Sequence, residues 1–167
     1  IQVFEPDGTF IRQWGSNGAT DGLFDDPVGI CVDTAGNVFV ADNGNARVQK
    51  FTNDGVFVTS AVGINDPLSV DCDANDAVFV LDNFTALIQV FDNDLAFVHD
   101  ISDSGTTSGN LQAPTGLAVT RVGEVLVTDQ SLNGVHIFAT SAEFLAKWNA
   151  SGGDPGDFLA PRDVAIG

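Results

Sequence analysis

The sequence predicts an all-β protein built from repeated four-stranded antiparallel units, and three observations support that prediction. A twelve-residue phrase, VADNGNARVQKF at 40–51, returns as VLDNFTALIQVF at 80–91 and as VTDQSLNGVHIF at 127–138. Short apolar runs alternate with turns rich in Gly, Asn and Asp, and no helical period appears. Among the acidic residues 20 are Asp and 3 are Glu, and Asp favours turns where Glu favours helices.

The repeat is anchored by a proline that precedes each copy. Intervals of 40, 47 and 47 residues separate these prolines, which is the range of supersecondary repeats. An Asp stands 15 residues after the first three prolines, and a Phe stands 24 residues after them. The equivalent positions are Pro27, Pro67, Pro114 and Pro161 for the proline, Asp42, Asp82 and Asp129 for the acid, and Phe51, Phe91 and Phe138 for the aromatic residue.

The elements of one unit follow from its residues in order. GICVD is a strand, the turn TAGN follows, and VFVAD is the second strand; after the turn NGNA, RVQKF and VFVTSAV are the third and fourth strands, separated by TNDG. The second strand is apolar on both faces in every copy, so both of its faces must be covered. Four-stranded antiparallel units stacked face to face are the blades of a β-propeller.

The most regular positions of the repeat are predicted to be structural. We expect Val40 to pack between sheets and Phe51 to fill the gap to the next blade. Asp42 ends the second strand, where a short acceptor side chain can bind the amides of the turn that follows.

The first unit closely resembles the NHL repeat. The resemblance rests on P-x-G-I-x-V-D-x-x-G-N-V-F-V-A-D-x-x-N-x-R-V-Q-K-F-x-x-D-G, from Pro27 to Gly55, and on the Gly-rich approach GSNGATDGLFDDP before it. The third unit departs from the pattern, with Thr120 in place of the first-strand Asp and Gly134 in place of Arg47. The resemblance implies a closed β-propeller, commonly with six blades.

We interpret the chain as one partial propeller of about 3.75 blades, with additional blades or a second chain needed to close the ring. The chain contains no Met and begins within the pattern, so we expect it to be a piece of a longer propeller. The expected divisions are the end of a blade at 1–26, blades at 27–66, 67–113 and 114–160, and the first strand of the next blade at 161–167.

The formal charge of −17 is the strongest bulk feature of the chain. It argues against nucleic-acid binding, which needs Lys and Arg to displace counterions. Solubility is one explanation of the charge, and a cationic partner or calcium is the other. No apolar run is long enough to span a membrane. The compartment stays unknown, with an extracellular or periplasmic location favoured.

Two groups of residues are candidates for a binding site. Asn45 and Arg47 lie on the face that carries the connections between blades, and Arg47 is expected beside Asp42, either bracing the turn or contacting a ligand. Asp71 stands on an innermost strand where the other copies have small or apolar residues, so it either faces a wet central channel or binds a ligand. The run DCDAND is not a calcium loop, because Asp76 occupies the position that needs Gly.

The sequence predicts no catalytic residue and no metal site. His99 and His136 lie on different strands and do not converge, whereas zinc needs three or four ligands. Cys31 and Cys72 are placed on opposite faces of equivalent strands, so we expect two buried thiols and no disulfide.

The predicted function is a non-catalytic scaffold that presents inter-blade loops to a protein or a small ligand. No resident cofactor is expected, with calcium or another divalent ion left open. The alternative is an enzyme, similar to lyase or lactonase propellers, whose metal-dependent channel site is completed by blades outside this sequence. RNA binding, known for some NHL propellers, needs a basic face that 6 basic residues among 23 acids do not supply.

Overall fold

The computed structural model describes residues 1–101, 110–149 and 156–166, and 14 strands lie within them. In chain order they are β1 (Gln2–Phe4), β2 (Phe10–Gln13), β3 (Pro27–Val32), β4 (Val38–Asp42), β5 (Arg47–Phe51), β6 (Phe57–Val62), β7 (Pro67–Cys72), β8 (Val78–Asp82), β9 (Leu87–Phe91), β10 (Phe97–Ile101), β11 (Pro114–Val119), β12 (Glu124–Asp129), β13 (Gly134–Ala139) and β14 (Phe144–Asn149). A one-turn 3₁₀ helix, Asn43–Asn45, joins β4 to β5. Within the described residues no helix is long and apolar enough to cross a membrane.

Each full unit of the repeat forms one four-stranded antiparallel sheet with its strands in sequential order. We call these sheets blade A (β3–β6), blade B (β7–β10) and blade C (β11–β14); β1 and β2 form a separate two-stranded sheet. The first strands of the blades lie side by side, β3 against β7 and β7 against β11. This arrangement confirms the prediction of an all-β protein made of stacked propeller blades.

The fixed spacing between Pro and Asp has a simple structural origin. In every blade the proline that begins the first strand lies opposite the Asp that ends the second, and a register shift follows at once. The pairs are Pro27 with Asp42, Pro67 with Asp82, and Pro114 with Asp129. A proline has no amide to donate, so it fits at the first residue of a strand.

Buried apolar side chains fill the space between successive blades. Between blades A and B, Phe39 and Val48 pack with Val78 and Val80. An equivalent core separates blades B and C, where Phe79 packs with the valines of β12. Every residue of β4 and β8 is buried, as expected for second strands covered on both faces.

Phe51 corrects one of the predictions, because it faces the preceding blade and not the next one. It packs against Phe24 and Trp14, with ring centroids 5.5 and 6.0 Å away. Phe51 is paired with Val38, and residues directly opposite in an antiparallel pair share a face of the sheet. Val38 belongs to the same cluster as Phe24, on the side of blade A that faces the preceding sheet. Phe51 shares the face of Val38 and therefore points towards that sheet as well.

The prediction of two separate thiols is wrong, since Cys31 and Cys72 form a disulfide. Their Cα atoms are 6.0 Å apart, one on β3 and the other on β7. The two side chains do project from opposite faces of equivalent strands, as the repeat indicated. Blades stack face to face, so the face of blade A that points towards blade B meets the face of blade B that points back towards blade A. Side chains on opposite faces of equivalent strands in neighbouring blades can therefore meet and form the disulfide.

Replacing Phe91 with Ala tests the packing between blades. Phe91 is buried in the core between blades A and B, so the substitution is expected to lower the free energy of unfolding by about 3–5 kcal/mol. Phe84→Ala is the control, because Phe84 is exposed and its loss is expected to cost less than about 0.5 kcal/mol. Urea unfolding of both variants checks the assignment, and equal losses would contradict it.

The disulfide is expected to stabilise the protein by about 4 kcal/mol through the loop it closes in the unfolded chain. The two cysteines are 41 residues apart. Dithiothreitol should therefore lower the unfolding temperature of the natural chain and leave a Cys31→Ser, Cys72→Ser variant unchanged. Two free thiols in the untreated, non-reduced protein would contradict the bond.

Candidate functional site

The buried carboxylate of Asp42 brings together the residues predicted on the loop face. Arg47 donates its Nε–H to Asp42 at 2.8 Å, and the side-chain amides of Asn45 and Gln49 donate to the same oxygen, each at 3.0 Å. The backbone amide of Asp25 donates to the other carboxylate oxygen at 2.7 Å. Asp42 and Arg47 are both buried. The predicted pairing is therefore present, and Gln49 is a partner that the sequence analysis missed.

The same three donors hold the connection that leads into blade A, residues 15–26. They donate to three of its backbone carbonyls over 2.8–3.0 Å. Asn45 binds Gly18, Arg47 binds Thr20 and Leu23, and Gln49 binds Leu23. Of the two roles considered for Arg47, the observed contacts are those of a brace, and the element braced is the connection.

The turn after β4 also fits closely under this connection. The amide of Gly44 donates to the Asp25 carbonyl at 2.9 Å. A Cβ atom added to Gly44 would lie 2.8 Å from that same oxygen, which is closer than packed atoms approach. The connection and the turn are therefore fixed to each other by backbone as well as by side chains.

Blades B and C keep the carboxylate but lose most of the side chains around it, since Asn45 and Arg47 are replaced in both blades and Gln49 is retained only as Gln89 of blade B. Asp82 accepts the amide of Asp66 at 3.1 Å, and Asp129 accepts the amide of Gln112 at 2.6 Å. Leu87 and Gly134 stand where blade A has Arg47, so no guanidinium reaches a connection at these positions. The full set of polar donors is a feature of blade A among the described blades.

Asp71 lines the channel groove, one of the two environments considered for it, and both of its oxygens accept hydrogen bonds from backbone amides. One oxygen accepts the amide of Cys72 at 2.8 Å, and the other accepts the amide of Val119 at 2.7 Å. Val119 belongs to β11, so Asp71 ties the innermost strand of blade B to that of blade C. This contact explains how a half-buried carboxylate is tolerated on an innermost strand.

The channel itself is a groove of about 950 Å³ along the innermost strands. Asp71 and Asp73 line it together with Arg121 and Arg162. Apolar side chains of β3 form the other side, and Ile30 and Val32 are 53% and 58% exposed there. Within the described residues, no group of three His, Cys, Asp or Glu side chains is arranged to hold a metal ion.

Asp33 forms a polar contact between blades that the sequence analysis did not single out. Its Oδ2 accepts the side-chain amides of Asn37 at 2.7 Å and of Asn93, in blade B, at 2.9 Å. Burial disfavours the Asp33 carboxylate, but these two bonds and the backbone amides of Asn37 and Ala35 outweigh it. The pKa of Asp33 therefore lies below its ordinary value of 3.8.

The stacked four-stranded sheets define the class of protein: the chain is a partial β-propeller. Residues 24–51 match the profile of the NHL repeat, so blade A contains an NHL repeat. The described structure also resembles solved propellers along most of its length.

Two curated relatives match about a quarter of the chain. The human E3 ubiquitin-protein ligase TRIM32 is 46% identical over 46 residues, which are 28% of this chain and 7% of that protein. Protein lin-41 of Caenorhabditis elegans is 49% identical over 49 residues, which are 29% of this chain and 4% of that protein. The chain therefore matches only a small part of the length of either relative.

Two solved structures show the fold over longer stretches. Virginiamycin B lyase from Staphylococcus aureus has a TM-score of 0.70 at 14% identity, covering 97% of this chain and 51% of that one. Kuenenia stuttgartiensis hydrazine synthase has a TM-score of 0.68 at 12% identity, covering 89% of this chain and 42% of that one. At such identities the likeness shows the fold alone.

Replacing Asp33 with Asn is expected to destabilise the protein at neutral pH but not in strong acid. The lowered pKa means that the carboxylate contributes stability above pH 3.8, and that this contribution is lost as the pH falls through the folded-state pKa. Unfolding by urea across this range measures the difference between the variant and the natural chain.

The control for this experiment is Asp94→Asn, since the Asp94 side chain is 91% exposed. Its difference from the natural chain should stay small at every pH. A destabilisation by Asp33→Asn that persists unchanged in strong acid would contradict the role given to the carboxylate.

Proposed function

We propose that this chain is a non-catalytic binding module that presents the connections between its blades to a partner protein. The observation that carries the proposal is the rigid support of the connection 15–26. Its backbone is held by Asn45, Arg47 and Gln49, while Thr20 and Asp21 are exposed. Loops on a rigid scaffold are where binding residues concentrate, because the backbone is already ordered before the partner arrives.

An exposed aromatic residue on the same face supports a protein partner. Phe84 lies in the turn between β8 and β9 and is 76% exposed. Aromatic side chains supply much of the binding energy of protein interfaces when a partner buries them. Val62, at the end of β6, is also exposed at this end of the blades, so apolar contact is available beside the polar connection.

The charge of the face indicates the chemistry of the partner. Asp21, Asp25 and Asp26 are exposed in the connection to blade A. With a net charge of −17, the chain attracts basic surfaces at long range and repels acidic ones. We therefore propose a partner that offers Lys or Arg side chains around an apolar pocket for Phe84.

Completion of the ring is a separate part of the proposal. Val28, Ile30 and Val32 of β3 are all about half exposed, and they line the channel groove. Apolar side chains in a row on a sheet face favour coverage by further propeller strands. Those strands belong either to blades outside this sequence or to a second chain.

Peptide selection tests the proposed binding face. A phage-displayed random peptide library is selected on the immobilised chain, and the recovered peptides are measured against two variants. Phe84→Ala is expected to weaken them about tenfold or more, because it removes an interface aromatic. Val122→Ala is the matched control, since Val122 is 81% exposed at the opposite end of the blades.

The pattern of losses decides between the two ends of the propeller. Peptides that also weaken with Asp21→Asn would support the acidic connection as part of the surface. Peptides that lose affinity with Val122→Ala but not with Phe84→Ala or Asp21→Asn would overturn the proposal.

A further inference from the structure

A lysine fills a polar slot between blades A and B, at the end of the blades opposite the connections. Lys50 is buried, and its Nζ donates to the carbonyl and to the side-chain oxygen of Asn93 at 2.7 and 2.5 Å. The same Nζ lies 5.5 Å from the centroid of the Phe39 ring, within the range of a cation–π contact. Its charge is paired with the exposed carboxylate of Asp94, 3.6 Å away. Asn93 in turn donates to Asp33, which borders the slot.

The equivalent slot between blades B and C is a cavity of about 340 Å³. Comparison of the repeats shows three substitutions at the cavity, each replacing a polar side chain with a shorter one. In the order of the repeat they are Asn37 to Ala77, Lys50 to Val90, and Asn93 to Thr140. All three replacement residues line the cavity. The volume lies at the lower end of the range for small-ligand sites.

Two residues that border the Lys50 slot have counterparts in this cavity. Asp73 stands for Asp33 and Phe79 stands for Phe39, and both line the wall. One Asp73 oxygen accepts the amides of its own turn, while the other has a single long contact, 3.4 Å from the side-chain amide of Asn75. In blade A that second oxygen of Asp33 accepts two side-chain amides at 2.7 and 2.9 Å.

The charges around the cavity favour a cation. Asp76 and Asp92 line it with Asp73, and His99 is the one basic side chain among its lining residues. His99 is already engaged, since its Nε2 lies 3.0 Å from the Thr140 carbonyl oxygen. The slot has therefore lost its own ammonium donor and kept the aromatic ring and the carbonyl that contact that donor in blade A. Ser141 replaces Asp94, the ion-pair partner of Lys50, so Asp73, Asp76 and Asp92 are the carboxylates available at the cavity.

We infer that this cavity binds a primary alkylammonium group on an unbranched chain, in the place that Lys50 occupies one blade earlier. The ammonium lies beside Asp73 and the Thr140 carbonyl, and the alkyl chain lies along Phe79 and Val90. A free amine and the lysine side chain of another protein share this chemistry. The site is distinct from the proposed loop face, because turns at the opposite end of blades B and C form it.

The direct test is a titration of the ¹⁵N-labelled chain with n-butylammonium chloride, followed by NMR. Saturable shifts are expected at the amides of 73–79, 90–93 and 140. The neutral control, n-butanol, has the same chain without the charge and is expected to give no saturable shifts at these amides. Equal effects of the two compounds would overturn the inference, since the carboxylate would then have no part in binding.

Two variants test the residues of the slot. Val90→Lys supplies the chain's own ammonium and is expected to abolish binding, whereas Val58→Lys adds the same charge on β6, away from the cavity, and is expected to leave it intact. Asp73→Asn keeps the shape and removes the charge, so it should weaken binding about tenfold or more. Unchanged binding in Val90→Lys or in Asp73→Asn would overturn the assignment.

The source of the amine is settled by a second ligand. Nα-acetyl-lysine N-methylamide carries the same alkylammonium group on a peptide unit. Tighter binding of this compound than of n-butylammonium indicates a lysine from a partner protein, and the reverse order indicates a free amine. If neither compound gives saturable shifts at the cavity, the inference fails, whatever the peptide selection shows for the loop face.

Discussion

The rest of the structure depends on one buried carboxylate in each blade, at the end of the second strand. Asp42, Asp82 and Asp129 are fully buried, and each accepts an amide of the connection that leads into its own blade. In the turn that follows each Asp, a backbone amide one or two residues further along donates back to a carbonyl of the same connection. The donors and acceptors are Gly44 to Asp25, Asn83 to Asp66, and Gln130 to Ala113. This two-way clamp fixes where the first strand of the blade begins, and the proline that begins that strand lies opposite the Asp.

The blades share the bonds of this clamp and differ in the side chains around it. Because the connections of blades B and C are anchored without a guanidinium, the position of Arg47 is free to change, and it becomes Leu87 and then Gly134. Blade A uses those positions to order a long connection, which is the basis of the binding surface proposed for it. The same freedom operates at the other end of the blades, where Lys50 becomes Val90 and a filled slot becomes a cavity. Function in this scaffold thus follows from substitutions around constant structural bonds.

The sequence predicts the strands, their order and the propeller class because apolar runs and turn residues recur at fixed offsets. It does not predict which neighbour a side chain meets. Periodicity assigns Phe51, Cys31 and Cys72 to faces of their sheets. The direction in which the blades stack decides which neighbouring blade each face meets, and the sequence does not give that direction. The predictions for Phe51 and for the two thiols failed for this reason. Asp71 was expected either to face the channel or to bind a ligand, and it lines the channel groove. Its partner, the Val119 amide, lies 48 residues away on another blade and carries no side-chain signal. The Lys50 slot is visible in the sequence only when the repeats are compared position by position.

Native-state hydrogen exchange of the clamp amides tests the central claim most directly. The amides of Asp25, Asp66 and Gln112 lie in connections, where exchange is ordinarily fast, but each donates to a buried carboxylate. The clamp predicts that these three amides exchange as slowly as those in the centres of the blades, only through large-scale unfolding. Exchange at the rate of the exposed loop amides beside them would show that the carboxylates do not hold the connections, and the account of the blades would fail.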